Sequence, residues 1–309
     1  MQTTLDCFPC FLRQALQASR FAKADHHTQR RIVDLALKQL AASRPGQSPL
    51  ELASAINGLV RRETGEPDPY RPAKEASNAE ALRWLPTLRG LIKREADPLG
   101  FALKAAVAGN IMDYGAFARF DVSPLIEQLH RHQFTIYDRA SLEARLETGR
   151  SLTYFADNAG EIVFDRVLIE QLVARFPIET IRLVVRSEPF LNDALVEDAH
   201  AAGITQIPGL ELHALPVSPA DHDPDQWTRA TASDVIIAKG MANFESYSDL
   251  DTFHCLFIAK CDIIGALLSE RCGRPVSQGD WILHRPAPKT TEHHSLSREP
   301  QPALQALEP

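Results

Sequence analysis

Leu152-Thr153-Tyr154-Phe155-Ala156-Asp157-Asn158-Ala159-Gly160-Glu161 is the stretch that decides the fold of this chain. An apolar run ends at Ala156, and a helical pattern opens at Ile162 and continues to Phe176. A strand that breaks into a helix in this way is the unit of an open α/β sheet, and such sheets bind ligands at the carboxyl ends of their strands. Asp157 and Asn158 supply hard oxygen donors of the kind Mg²⁺ or Mn²⁺ takes. Gly160 lets backbone amides approach an anion at the helix start. A cation site and a phosphate site in one segment suggest phosphoryl chemistry.

Outward from this point, the apolar runs continue toward the C-terminus. Ile181–Val185, Glu211–Leu215, Asp234–Ala238 and Cys255–Ala259 read as further strands, with helical patterns between several of them. The alternation predicts a mainly parallel sheet covered on both faces, a three-layer α/β/α domain over residues 149–285. Toward the N-terminus the period changes. Phe8, Phe11, Leu12, Ala15 and Leu16 recur at helical spacing, as do Ile32, Val33, Ala36, Leu37 and Leu40. Similar stripes run through Leu50–Val60, Leu82–Ile92 and Leu99–Val107, so residues 1–148 read as an all-helical domain. From 286 to 309 the chain is rich in Pro, Ser, His and charge without periodicity, and it reads as a disordered tail.

Composition excludes several classes. The 309 residues are 44% hydrophobic with a net charge of -7, so the bulk basic field of a nucleic-acid binder is missing. No apolar run reaches the roughly 18 residues of a membrane span, and Met1–Asp6 lacks the basic and apolar regions of a secretory signal. Five cysteines, few and odd in number, read as reduced thiols in a cytoplasm rather than a disulfide framework.

Parallel strands place their C-terminal ends on one edge, so the residues just past each apolar run are informative. Asp157-Asn158 comes after the first. Arg186-Ser187-Glu188-Pro189 and then Asn192-Asp193 come after the second. Lys239-Gly240-Met241-Ala242-Asn243-Phe244-Glu245 comes after the fourth, and Lys260-Cys261-Asp262 after the fifth. Asp157 and Asp193 can hold one divalent cation with Asn158 as a neutral third ligand. Lys260 or Lys239 can neutralise phosphate charge, and Glu245 can orient or deprotonate water. Gly160, Glu161, Asn192, Lys239, Gly240 and Asn243 are expected to face the substrate. Asn110 and Asp113 are expected to lend polar groups from the helical region across a cleft. Each piece has a plainer reading: Asp-Asn before Gly and Asn192-Asp193 also serve as helix caps, Lys239-Gly240 as a turn, and Lys260 as a solvated lysine. Their meeting at one sheet edge favours the functional reading.

Cys7-Phe8-Pro9-Cys10 has thiol-pair spacing, but too few residues precede it for the strand of a thioredoxin-like unit, and no second Cys-x-x-Cys completes a zinc tetrad. Asp221-His222-Asp223-Pro224-Asp225 lacks the glycine and distal Glu of a Ca²⁺ loop.

These residues resemble the damage-control phosphatase family, once grouped as a domain of unknown function. The matching pieces are Leu5-Asp6-Cys7-Phe8-Pro9-Cys10; Asp68-Pro69-Tyr70 with Lys74 and Asn78; Gly109-Asn110-Ile111-Met112-Asp113; Asp157–Asp165; Pro189–Ala194; Lys239–Glu245; and Lys260-Cys261. The Cys-bearing start resembles the smaller, mainly prokaryotic branch. The resemblance implies a helical N-terminal region on an α/β/α metal-binding domain. It implies hydrolysis of phosphate from sugar phosphates or damaged phosphometabolites, supported by Mn²⁺, Co²⁺ or Ni²⁺ and less well by Mg²⁺. It assigns the metal to Asp157, Asn158 and Asp193, and a phosphate contact to Lys260. Met241 stands where the family usually has glutamine, and Arg186-Ser187-Glu188 where it usually has a glycine-rich turn. Two other functions remain open on sequence: a non-catalytic binder of a phosphorylated metabolite, and a nucleotide- or adenosylmethionine-using transferase. The transferase needs a glycine fingerprint after the first strand, and Asp157-Asn158-Ala159-Gly160 does not supply one.

Overall fold

Each of the five apolar runs after residue 150 forms a strand. The structure is a computed structural model, which describes residues 1–44, 46–109 and 129–286. In chain order the helices are α1 (Phe8–Phe21), α2 (His26–Ala41), α3 (Pro49–Thr64), α4 (Arg71–Ile92) and α5 (Pro98–Ala108). Then come β1 (Phe134–Tyr137), α6 (Arg139–Thr148), β2 (Ser151–Phe155), α7 (Glu161–Arg175), β3 (Thr180–Arg186), α8 (Val196–Ala201) and β4 (Leu210–Leu215). The chain continues through α9 (Pro224–Thr231), β5 (Val235–Lys239), α10 (Gly240–Tyr247), β6 (Phe253–Ile258), α11 (Asp262–Cys272) and β7 (Trp281–His284).

The strands form one seven-stranded sheet in the order β1-β7-β6-β5-β2-β3-β4. β6 and β7 are antiparallel, and the other neighbours are parallel. Two further strands join these five. β7 is a short run next to the polar C-terminal segment. β1 falls in the region expected to be all-helical, yet it pairs with β7 and closes that edge of the sheet.

Side chains alternate across the sheet, as strand geometry requires. Leu152, Tyr154, Leu183 and Ile237 face a core built with α4, α5 and α7. Phe155, Val184, Ile236 and Ala238 face a second core with Phe244, Tyr247 and Ile264 from α10 and α11. Phe11, Ile32 and Ile56 give α1–α3 a core of their own. The chain therefore has a helical N-terminal region on a mostly parallel sheet, as expected, but residue 148 is not a boundary. α4 and α5 share the core of the sheet, and β1 and α6 belong to it. Asn110, Asp113 and the expected tail from residue 287 onward lie outside the described residues.

β2 is the strand on which the connection reverses. The chain leaves it toward β3 and β4 on one side, then returns to place β5 on the other. The crevice at such a reversal is where doubly wound sheets bind ligands. Phe155 is level with Val184 of β3 and Ala238 of β5, so the segments after these three strands meet at one end of the sheet.

Candidate metal and phosphate site

The loop after β2 and the loop after β3 are zipped together by backbone hydrogen bonds. Ala194 N donates to Asp157 O (2.8 Å), and Ala159 N donates to Asn192 O (2.9 Å). Asn158 and Asp193 form an isolated antiparallel bridge between the loops. This brings Asp157, Asn158 and Asp193 together from points far apart in sequence. Both aspartates are buried, and Asn158 is half-buried.

Each donor is oriented by a neighbour. The Asn158 amide donates to Asp157 Oδ2 (2.8 Å) and Glu161 Oε2 (2.9 Å), which leaves its Oδ1 as the acceptor. Arg186 donates through Nε to Asp193 Oδ2 (2.8 Å) and reaches Asn243 Oδ1 at 3.2 Å. Gly240, with φ +81°, lies directly against the Asp157 carboxylate at the start of α10. Burial pushes the Asp157 carboxyl well above the usual range, and the charges of Glu161 and Asp193 push it further, against the pull of Lys260 and Lys239. Asp193 is raised in the same way by burial, with Arg186 and Lys260 opposing. Lys260 is exposed and acts on both acids from the rim.

A donor set of two carboxylates and an amide oxygen suits a hard divalent cation. The charge balance points the same way. Asp157, Asp193, Glu161 and Asp165 are buried carboxylates, and the buried cations among them are Arg186 and Lys239. With all four ionised, the buried carboxylates exceed the buried cations by two charges, an excess that a divalent cation would offset together with Lys260 at the rim. Among the described residues no three His, Cys, Asp or Glu side chains form a ready-made metal cluster. The candidate set is completed by an amide instead.

Several expected contacts take other roles. Lys239 is fully buried, and its ammonium donates to Glu161 Oε1 (2.7 Å), Asp165 Oδ1 (2.6 Å) and Ala106 O (2.8 Å). All three of its donors are used, so it braces the underside of the site and does not reach out to a phosphate. Glu161 is its partner, and holds Asn158 with its other oxygen. Asn243 donates to Lys239 O (2.7 Å) and Ala156 O (3.2 Å), tying the ends of β5 and β2 together instead of facing substrate. The Gly160 amide is taken by Asn78 Oδ1 (2.6 Å) and is not offered to an anion. Asn192 is half-buried at the rim, its carbonyl engaged by Ala159. Glu245 lines a different cleft, with Met1, Ser48, Pro49 and Ser246. Five residues beyond Gly240 is about 140° round the helix, which turns Glu245 away from Asp157. Burial raises its carboxyl to about 7, with the N-terminal amine opposing.

Sequence reasoning does not assign Arg186 or Asp165. Glu161 and Asp165 are four apart on a helix whose other early residues, Ile162, Val163 and Phe164, are apolar and buried. Two carboxylates on the inner face of such a helix require a buried cation, and that spacing is a usable signal.

Fold and site together define a three-layer α/β protein with a cluster of buried carboxylates at the reversal point of its sheet. The chain belongs to the damage-control phosphatase family: residues 3–275 match the damage-control phosphatase ARMT1-like domain. It is 30% identical over 286 residues to a protein of Archaeoglobus fulgidus named damage-control phosphatase, covering 88% of this chain and 97% of that one. It is 26% identical over 274 residues to damage-control phosphatase PH1575 of Pyrococcus horikoshii, covering 85% and 93%. A crystal structure of this Pyrococcus protein, described as a DUF89 family member, superposes with a TM-score of 0.81 at 26% identity. The match covers 93% of this chain and all of that one.

Proposed function

We propose that this chain is a metal-dependent phosphatase that hydrolyses phosphomonoesters of small metabolites, either sugar phosphates or damaged phosphometabolites. The observation that carries the reading is the bridge between two loops that brings Asp157, Asn158 and Asp193 together, beside buried carboxylates that outnumber the buried cations. Family membership supports the reaction class, and the chemistry comes from the residues. Asp157, Asn158 and Asp193 would hold Mn²⁺, Co²⁺ or Ni²⁺, with Mg²⁺ also suited to the oxygen donors. A divalent cation there supplies Lewis acidity toward a phosphoryl oxygen and acidifies an attacking water. Lys260, at the rim, balances the phosphate charge that the buried groups do not. The N-terminus of α10 opens at Gly240 beside Asp157 and adds its helix dipole to the same anion. Glu161 and Lys239 act from beneath by fixing the Asn158 amide.

Neither nucleic acid nor membrane enters this reading. The net charge is negative, and among the described residues no helix is long and apolar enough to cross a membrane. The described cysteines are free thiols, which suits the cytoplasmic setting we propose.

The test is release of phosphate from a sugar-phosphate panel with Mn²⁺, Co²⁺, Ni²⁺ and Mg²⁺ in turn. Metal-stimulated turnover that disappears in Asp157→Ala is expected. Tight binding of a phosphometabolite recovered intact after long incubation would instead identify a binding protein.

A further inference from the structure

The segment Asp68-Pro69-Tyr70 with Lys74 and Asn78 lies at the start of α4, on the helical side, and the proposed chemistry gives it no role. Its side chains nevertheless reach the candidate site. Asp68 accepts from Tyr70 N (3.1 Å) and pairs with Lys74 Nζ at 2.7 Å. Lys74 and Asn78 are four apart, so they share a helix face. That face meets Asp198, at the start of α8. Lys74 Nζ is 3.4 Å from Asp198 Oδ2, and Asn78 Nδ2 donates to Asp198 Oδ1 at 2.8 Å. Asp68, Lys74, Asn78 and Asp198 are all buried.

The unit is attached to both loops of the site. Asn78 Oδ1 accepts from Gly160 N (2.6 Å) in the loop after β2, two residues from Asn158. Asp198 Oδ2 accepts from Leu195 N (2.9 Å) in the loop after β3, two residues from Asp193. Contact at the first loop is tight. A Cβ at Gly160 would lie 2.9 Å from Ser77 Cβ, so α4 seats directly on a glycine backbone held at φ +77°. One hydrogen-bonded pair of side chains therefore spans the two loops that carry the aspartates.

We propose that Asn78 and Asp198 are positioning residues: their hydrogen bond to each other, and one from each loop, set the spacing at which Asp157 and Asp193 share a single cation. This rests on the metal-dependent reading above. The helical region thereby takes part in building the site from outside it. Removing such an outer partner typically weakens metal affinity by about 10–100-fold.

The experiment measures Mn²⁺ affinity directly, by electron paramagnetic resonance of free Mn²⁺, on the full chain without substrate. Amide hydrogen exchange at Gly160 and Leu195 is tracked in parallel. Asn78→Ala is expected to raise the Kd for Mn²⁺ about tenfold or more and to speed exchange at Gly160. Saturating Mn²⁺ then restores most of kcat, because the ligands are intact. Asp198→Asn, nearly isosteric, cuts one arm of the unit and is expected to raise Kd in the same direction; it serves if Asn78→Ala fails to fold. A folded variant of either kind whose Mn²⁺ Kd stays within about twofold of the unsubstituted chain overturns the proposal. Failure of the phosphatase reading looks different: the unsubstituted chain binds Mn²⁺ and releases no phosphate from any ester, while the effect of Asn78→Ala on Kd persists. An unsubstituted chain that binds no Mn²⁺ overturns both.

Discussion

A Cβ built on Gly240 would lie 2.1 Å from both Cγ and Oδ2 of Asp157, so the glycine backbone is the floor on which that carboxylate rests. The φ of +81° at Gly240 is itself one that side-chain-bearing residues rarely adopt. Gly240→Ala is therefore expected to displace Asp157 as well as strain the turn between β5 and α10. Misplacement of about 1 Å at a reacting centre costs on the order of a hundredfold in rate. Metal-stimulated turnover should fall by at least that much. Full activity in Gly240→Ala would show that Asp157 is not held where the structure puts it.

The two lysines of the strand ends should separate cleanly. Lys239 neutralises Glu161 and Asp165 with no exposure to water. Lys239→Met leaves two buried carboxylates without their cation, and breaking such a cluster costs about 3–5 kcal/mol. Urea denaturation measures it. Lys260 is exposed, and Lys260→Met should change stability by less than about 1 kcal/mol. Its kcat/KM should nonetheless fall about a hundredfold, through lost stabilisation of phosphate charge. Unchanged kcat/KM in Lys260→Met would remove that lysine from the mechanism.

His254 in β6 makes a pH prediction. Burial lowers its imidazolium from 6.5 to about 4, with Arg285 and Arg145 acting in the same direction. Between those values the unfolded chain binds a proton that the folded chain refuses. Stability from this group is complete above about pH 6.5 and is lost as pH falls toward 4. The loss between about pH 7.5 and about pH 5 is on the order of 2 kcal/mol. Asp165, raised by burial to about 6 against the pull of Lys239, works in the opposite sense over an overlapping range. The informative quantity is thus the difference between chains. His254→Gln should flatten the acid side of the stability profile by about 2 kcal/mol. Parallel profiles for the two chains would contradict this.

Much of this architecture is legible in the residues themselves, and the limits have physical causes. β2, β3, β5 and β6 are largely continuous apolar runs buried on both faces, which their length and the turn residues at their ends reveal. β7 is four residues, too short to establish a period, and β1, equally short, falls in a region whose pattern is otherwise helical. Asp157, Asn158 and Asp193 each allow a helix-cap reading, and what singles them out in sequence is that they follow neighbouring strands and so fall at one sheet edge. The direction of a strand-end lysine is not recognisable. Lys239 reads the same whether it faces water or Glu161 and Asp165, and only the packing of α7 on the sheet decides. Arg186 reads in sequence as a departure in a turn. The structure buries it as the last residue of β3, bonded to Asp193. Asn78 lies far from the site in sequence and joins it only because α4 packs on α7.

The most direct measurement is the anomalous difference map of crystals soaked in Mn²⁺. One strong peak is expected, within about 2.0–2.6 Å of oxygens from Asp157, Asn158 and Asp193. A peak held by other residues, or none while the two aspartates turn away from each other, would contradict the shared cation.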